Sequence, residues 1–229
     1  MVKDRDEIDA IRSSCELDDL AYDVIKKNCV DGNTEIDVYA KAYQEVIKKA
    51  NPHTFQFFYG DVTSGERSVN GGAGPPTERV MRRGETLVLD LSTTTQGYFG
   101  DTCRTFVVDG KITERQQQTL DLLKRALAAG EEKLRPGVTA GDAYRSMYEV
   151  IAEKGYGDRF PHHGGHSIGL DCWEPPFIIP GSNEKLKQGM VIAMEPGVYI
   201  PGVGGMRIEN NYLVEASGVE SLSKFPLEL

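Results

Sequence analysis

The sequence has four cysteines, Cys15, Cys29, Cys103 and Cys172, and no CxxC spacing among them. That excludes a zinc knuckle, and so few scattered thiols do not make a disulfide framework. There is no long apolar run, since every such stretch falls far short of the roughly 20 residues that span a bilayer. The first residues, MVKDRDEID, are charged from the third on, so no secretory signal is visible. These absences make the cytoplasm the expected location. Positive charge is in deficit, with 26 Lys and Arg against 35 Asp and Glu and a net charge of −9. Such a chain is poorly suited to nucleic acid or an anionic membrane as its main partner. What remains is a soluble-type composition, 39% hydrophobic and 27% charged over 229 residues, enough for a full core. Carboxylates gathered to hold cations would contribute to the acidic excess.

The chain is organised around residues 84–108, GETLVLDLSTTTQGYFGDTCRTFVV. Leu87, Val88 and Leu89 precede Asp90, and Leu91 follows it, the pattern of a strand buried on both faces. A turn and a returning strand carry Asp101. A carboxylate on a buried strand is costly unless a cation or hydrogen bonds compensate it. Two acids at the wet end of a hairpin are the bland alternative, and this stretch alone does not decide.

The spacing of Ile8, Ile11, Cys15, Leu20 and Val24 predicts a helix from about Asp6 to Cys29. Thr34 with Asp37, and Thr113 with Gln116, read as capping boxes of later helices. The first of these helices runs to about Ala50. The second ends near Arg135-Pro136-Gly137. Thr139 with Asp142 opens a further helix that stops at Gly155. Thr54 to Tyr59 is β-prone, and Asn70 to Pro76 must be a loop. His162 to Pro180 reads as loops around short strands. Met190 to Met194 is a second apolar strand leading into Glu195, with Gly205 to Val214 as its returning partner.

Shifting the chain on itself by 105 residues brings Gly32 onto Gly137, Thr34 onto Thr139 and Asp37 onto Asp142. Tyr39 meets Tyr144, Tyr43 meets Tyr148, Gly60 meets Gly165, Gly84 meets Gly189, and Asp90 lands on Glu195. The expected architecture is therefore α+β, one domain over residues 1–229 made of two αβ halves, about 6–110 and 111–225. Such halves pack about a pseudo-two-fold axis, which sets Asp90 and Glu195 at equivalent points of a shared cleft. Each half carries a second acid on its returning strand, Asp101 and Glu209.

Four carboxylates, Asp90, Asp101, Glu195 and Glu209, with an imidazole from HHGGHSIG, exceed the needs of one ion. His166 is the expected imidazole, because its glycine-rich surroundings allow close backbone approach. The set fits two divalent ions about 3.5–4 Å apart. Oxygen-rich ligation with one imidazole favours Mn²⁺, with Co²⁺, Fe²⁺ or Zn²⁺ as alternatives. Arg207 lies two residues before Glu209, so on a strand both face one side. It either grips a substrate carboxylate or pairs with one of the site acids.

These residues resemble the pita-bread metallopeptidases: methionine aminopeptidase, Xaa-Pro aminopeptidase, prolidase and the related creatinase. The motifs are LDLSTTTQGYFGDTCRTF, GGHSIG, AMEPGVY and GMRIENNYLV, with SGERS and FPHHGGH pointing to the Xaa-Pro and prolidase branch. The resemblance implies that Asp90, Asp101, His166, Glu195 and Glu209 are metal ligands and that Glu195 also accepts the water proton. It implies that His162 contacts substrate and is, with Glu195, a catalytic candidate for protonating the leaving amine, that the substrate is a small peptide, and that a homodimer is the common state. Members of that branch usually carry an additional N-terminal domain, which this sequence does not show.

Two departures stand out. Family peptidases usually have a histidine seven residues after the ligand histidine, where this chain has Trp173. They also have one in the loop before the first metal strand, which here is NGGAGPP. Trp173 stacks on substrate, closes an apolar pocket or packs in the core, and its indole only donates. The leading expectation is a dinuclear-metal Xaa-Pro aminopeptidase or dipeptidase. The alternatives are an enzyme of the same fold acting on a non-peptide C–N or C–S bond, and a non-catalytic binding module.

Overall fold

The computed structural model describes residues 1–50, 55–110 and 112–228. Helix α1 (Arg5–Asn28) starts at Asp4, whose carboxylate accepts from Glu7 N while Glu7 reaches back to Asp4 N. Its buried stripe, Ile11, Cys15, Asp18, Tyr22 and Ile25, recurs every three or four residues. Helix α2 (Glu35–Lys49) is capped by Thr34 and Asp37 as the sequence predicts. Both helices lie on an antiparallel sheet of β1 (Phe55–Ser64), β2 (Thr86–Thr95) and β3 (Tyr98–Val107), in that order. Thr54, at the start of the predicted β-prone segment, lies outside the described residues.

The second half repeats the plan. Helix α3 (Glu114–Glu131) is capped by Thr113 and Gln116, and α4 (Ala140–Ala152) by Thr139. Strands β4 (Gly165–Ser167), β5 (Glu174–Phe177), β6 (Val191–Met194), β9 (Asn210–Glu215) and β10 (Gly218–Ser221) form a sheet ordered β10-β9-β6-β4-β5. A hairpin of β7 (Gly197–Ile200) and β8 (Gly204–Arg207) stands apart from it.

Strand β1 runs on to Ser64 and α4 stops at Ala152, and two further boundaries differ from the sequence reading for reasons of packing. Helix α3 ends at Glu131, short of Pro136, because the chain turns there to bury Leu134 completely. The single strand expected over Gly205 to Val214 is two. Its first part pairs with β7 and its second with β6, and the break falls at Ile208 and Glu209. There Glu209 N donates to Cys103 O of β3 at 3.0 Å, so the other half captures the backbone.

Four backbone hydrogen bonds recur at the 105-residue shift. Gly32 N to Met81 O has its counterpart in Gly137 N to Leu186 O, and Met81 N to Asn33 O in Leu186 N to Val138 O. Glu35 N to Arg79 O matches Ala140 N to Glu184 O, and Ile36 N to Thr77 O matches Gly141 N to Ser182 O. Gly32 and Gly137 both take φ near +90°, at +94° and +89°, a conformation that L side chains resist. Each helix pair covers its own apolar cluster, and a third cluster including Ile11, Cys15, Val191 and Ala193 joins the halves. Among the described residues no helix is long and apolar enough to cross a membrane.

Candidate metal centre

The two sheets meet over a cavity of about 540 Å³. Strand β2 brings Asp90 to its wall. Strand β3 returns with Asp101, register partner of Ser92. Strand β4 presents His166, the end of β6 leads into Glu195, and the break before β9 holds Glu209. All five expected donors line this one space. They fall into two groups whose donor atoms lie within 4.8 Å of one another: Asp101, His166 and Glu209, and Asp90, Glu195 and Glu209. Glu209 belongs to both.

The electrostatics of these groups do not balance as they stand. Glu209 is 1% exposed, and neither of its carboxylate oxygens has a hydrogen-bond partner among the described residues. Its carboxyl is pushed well above the usual range, first by burial and then by Asp101. Asp101 is raised for the same first reason, then by Asp90, although Ser92 Oγ (2.9 Å) and Cys172 Sγ (3.1 Å) donate to it. Burial raises Asp90 to about 6 despite its ion pair with Arg207. His166 Nδ1 donates to Ser167 O at 3.2 Å, so Nε2 carries the lone pair. That nitrogen faces Asp101 Oδ2 and Glu195 Oε1, each 3.5 Å away. Burial lowers the His166 pKa, which keeps the ring neutral. Acceptors facing acceptors in a buried space cost free energy unless a cation lies between them. The donor set therefore fits divalent ions.

The remaining expected residues are also placed. Arg207 is 5% exposed and engaged, with Nη1 donating to Gly71 O (2.8 Å) and Tyr199 Oη (3.2 Å) and Nη2 pairing with Asp90. Of its two sequence readings, the pair with a site acid is the one present. His162 Nδ1 donates to His163 O at 2.7 Å, and its Nε2 accepts from Tyr199 Oη at 2.8 Å. Burial lowers its pKa to about 4, so it is neutral. Trp173 is 63% exposed at the cavity rim, with ring contacts to His163 and His166 at 6.1 and 6.0 Å. That excludes core packing for it.

Three cavity residues of metal-ligating type (His, Cys, Asp or Glu) escaped the sequence reading. His163 Nδ1 lies 3.1 Å from Glu195 Oε1, within ion-pair distance though out of hydrogen-bond alignment. Burial alone would lower the His163 pKa, and the Glu195 carboxylate reverses this and raises it. In turn Glu195 is held down at about 2: burial pushes it up, but His163 and Arg207 outweigh burial. Cys172 and Asp61 are the others. The signal for His163 was its place inside the same HHGGH motif, where loop geometry alone selects which ring reaches the acid.

A family model for metallopeptidase family M24 matches residues 9–216. The chain belongs to metallopeptidase family M24. It is 35% identical over 229 residues to a protein named Xaa-Pro dipeptidase from Pyrococcus furiosus, covering all of this chain and 65% of that relative. The M24 chain thus spans less than two thirds of that relative's length. Its backbone superposes on a prolidase from Pyrococcus horikoshii OT3 with a TM-score of 0.93 at 33% identity, covering 100% of this chain and 65% of that one. An X-Pro aminopeptidase from Thermotoga maritima MSB8 gives 0.93 at 29% identity, covering 100% and 64%. The α+β architecture described above is therefore the pita-bread fold.

Proposed function

We propose that this M24 chain is the catalytic domain of a peptidase that uses two divalent ions, of the Xaa-Pro dipeptidase or aminopeptidase type. One observation carries the reading: five donors converge in two overlapping groups, and the acid they share has two unpartnered, buried oxygens. Asp101, His166 and Glu209 would hold one ion, and Asp90, Glu195 and Glu209 the other, Mn²⁺ being favoured by the oxygen-rich set. Bound there, the ions would make water nucleophilic at neutral pH and polarise a substrate carbonyl.

The chain's own groups have defined parts. Glu195 is ionised and can take a proton at Oε1, and His163 Nδ1 beside it can pass one to a leaving amine. His162, with both ring nitrogens engaged, holds Tyr199 and through it Arg207. Arg207 in turn fixes the orientation of Asp90. On this reading the protein works in the cytoplasm, where its four free thiols stay reduced, and as a homodimer.

The test is a panel of Xaa-Pro dipeptides and longer peptides on Mn²⁺-loaded protein, with Asp101→Asn as the blank. Steady metal-dependent release of the first residue is the expected result. No turnover across the panel with metal bound would sink it. Trp173 at the rim, where the family resemblance leads one to expect an imidazole, favours one second reading: the same centre acting on a non-peptide C–N or C–S bond. A binding module is disfavoured by the complete donor set. It would bind no stoichiometric metal.

A further inference from the structure

The five proposed ligands do not use up the acids of the cavity. Asp61 also lines it, and it belongs to neither donor group. It sits on β1 directly opposite Asp90 of β2, so both side chains share the cleft-facing side of the sheet. Like charges at directly opposed positions destabilise a sheet. Asp90 is compensated by Arg207, whereas Asp61 has no ion pair among the described residues. The hydroxyl of Tyr59 donates to Asp61 Oδ1 at 2.8 Å and fixes the carboxylate's direction.

The surroundings suit a long side chain with a charged head. Tyr59, Phe99 and Trp173 line the same cavity, together with two small residues, Gly71 and Ala73. Aromatic faces receive an alkyl stem and attract a cation. The repeat points the same way. The 105-residue shift carries Asp61 onto His166, each following a glycine on a strand that pairs with the one carrying Asp90 or leading into Glu195. One half uses this position for the imidazole of the metal centre, and the other leaves a carboxylate there. The unpartnered Glu209 carboxylate in the same space shows that the cavity is built to be filled.

We infer that Asp61, with Tyr59, forms an anionic subsite that takes the cationic side chain, ammonium or guanidinium, of the substrate's first residue. This rests on the peptidase reading for the identity of the substrate and not for the existence of the subsite. Asp61 acts in binding and touches no reacting atom.

The test compares Lys-Pro with norleucine-Pro, which lacks only the side-chain ammonium. With Mn²⁺-loaded protein, Lys-Pro should be preferred in kcat/KM by about tenfold, mostly through KM. Asp61→Asn should erase the preference, Asp61→Glu should keep part of it, and Asp61→Lys should turn it towards Glu-Pro. A wild-type protein indifferent between the two dipeptides overturns the inference without any variant. So does an equal preference in wild type and Asp61→Asn. If neither dipeptide is cleaved, the peptidase reading falls, and calorimetric binding of the same pair decides the subsite. A tenfold binding difference lost in Asp61→Asn sustains it. Equal binding, or none, overturns it.

Discussion

The two halves of this M24 chain share a backbone and differ in chemistry. The hydrogen bonds that tie the start of each half's second helix to the segment leading into its apolar strand recur in one register, down to four matched donors and acceptors. The side chains at matched positions do not. Glu35 corresponds to Ala140, Asp18 to Leu123, Asp61 to His166 and Arg104 to Glu209. Buried backbone groups must be paired wherever they lie, which holds the frame constant. A side chain answers only to its own neighbours, so each half became free to present different side chains to one cavity. Arg104 shows how far this went. It is fully buried and donates to the carbonyls of Cys103, Glu209 and Phe225. Its counterpart in the other half is the very acid whose backbone it holds.

The sharpest way to break the comparison is to count ions. If Glu209 serves both donor groups while His166 serves one, Glu209→Gln should abolish stoichiometric binding of both ions. His166→Ala should leave one. Both should lower activity by more than the ten- to hundredfold typical of residues that merely support ligands. Elemental analysis after dialysis against Mn²⁺ checks the counts. Equal losses in the two variants would contradict the shared role.

Next comes the acid that has no partner in the other half. Glu35 is fully buried and accepts from Ser64 N and Oγ (2.8 and 2.7 Å) and from Thr77 N and Oγ1 (3.0 and 2.7 Å). It also pairs with Arg67. It fastens both ends of the segment between Ser64 and Thr77, which includes the NGGAGPP loop. Glu35→Ala should cost about 3 kcal/mol, the low end for breaking a buried pair, because Arg67 can reach water. Urea unfolding measures it, and a loss under 1 kcal/mol would mean the loop is held elsewhere.

The smallest expected effect concerns Asp18, where the other half has Leu123. Both Asp18 oxygens are buried without a hydrogen-bond partner among the described residues, and burial raises its pKa well above the usual carboxylate value. Its folded pKa stands above its unfolded one. Its contribution to stability is therefore fully present in acid and is lost as pH rises towards the folded pKa. Asp18→Asn should gain on the order of 1–2 kcal/mol relative to wild type between pH 5 and pH 8. Thermal melts at the two pH values check this, and parallel shifts in both proteins would refute it.

Much of this was legible in the chain itself. The buried strand around Asp90, the capping boxes and the internal register all rest on local patterns, and the structure reproduces them. The same register also held a signal left unread. It aligns Gly60 with Gly165, and one residue further it sets Asp61 on His166. What local pattern could not give was the split of the last returning strand, since that depends on Cys103, 106 residues away in sequence, capturing Glu209 N. Nor could it give the partner of Arg207. A residue two before an acid on a strand can face substrate or protein, and only the approach of β2 places Asp90 against it.

Glu209 is stitched to the opposite half on both sides, its amide to Cys103 and its carbonyl to Arg104. A hinge between the halves would thus pull the Glu209 carboxylate out of register with the other donors of the cavity. The floor of the cleft is therefore tied to both halves at once, while Trp173 at its rim stands 63% exposed.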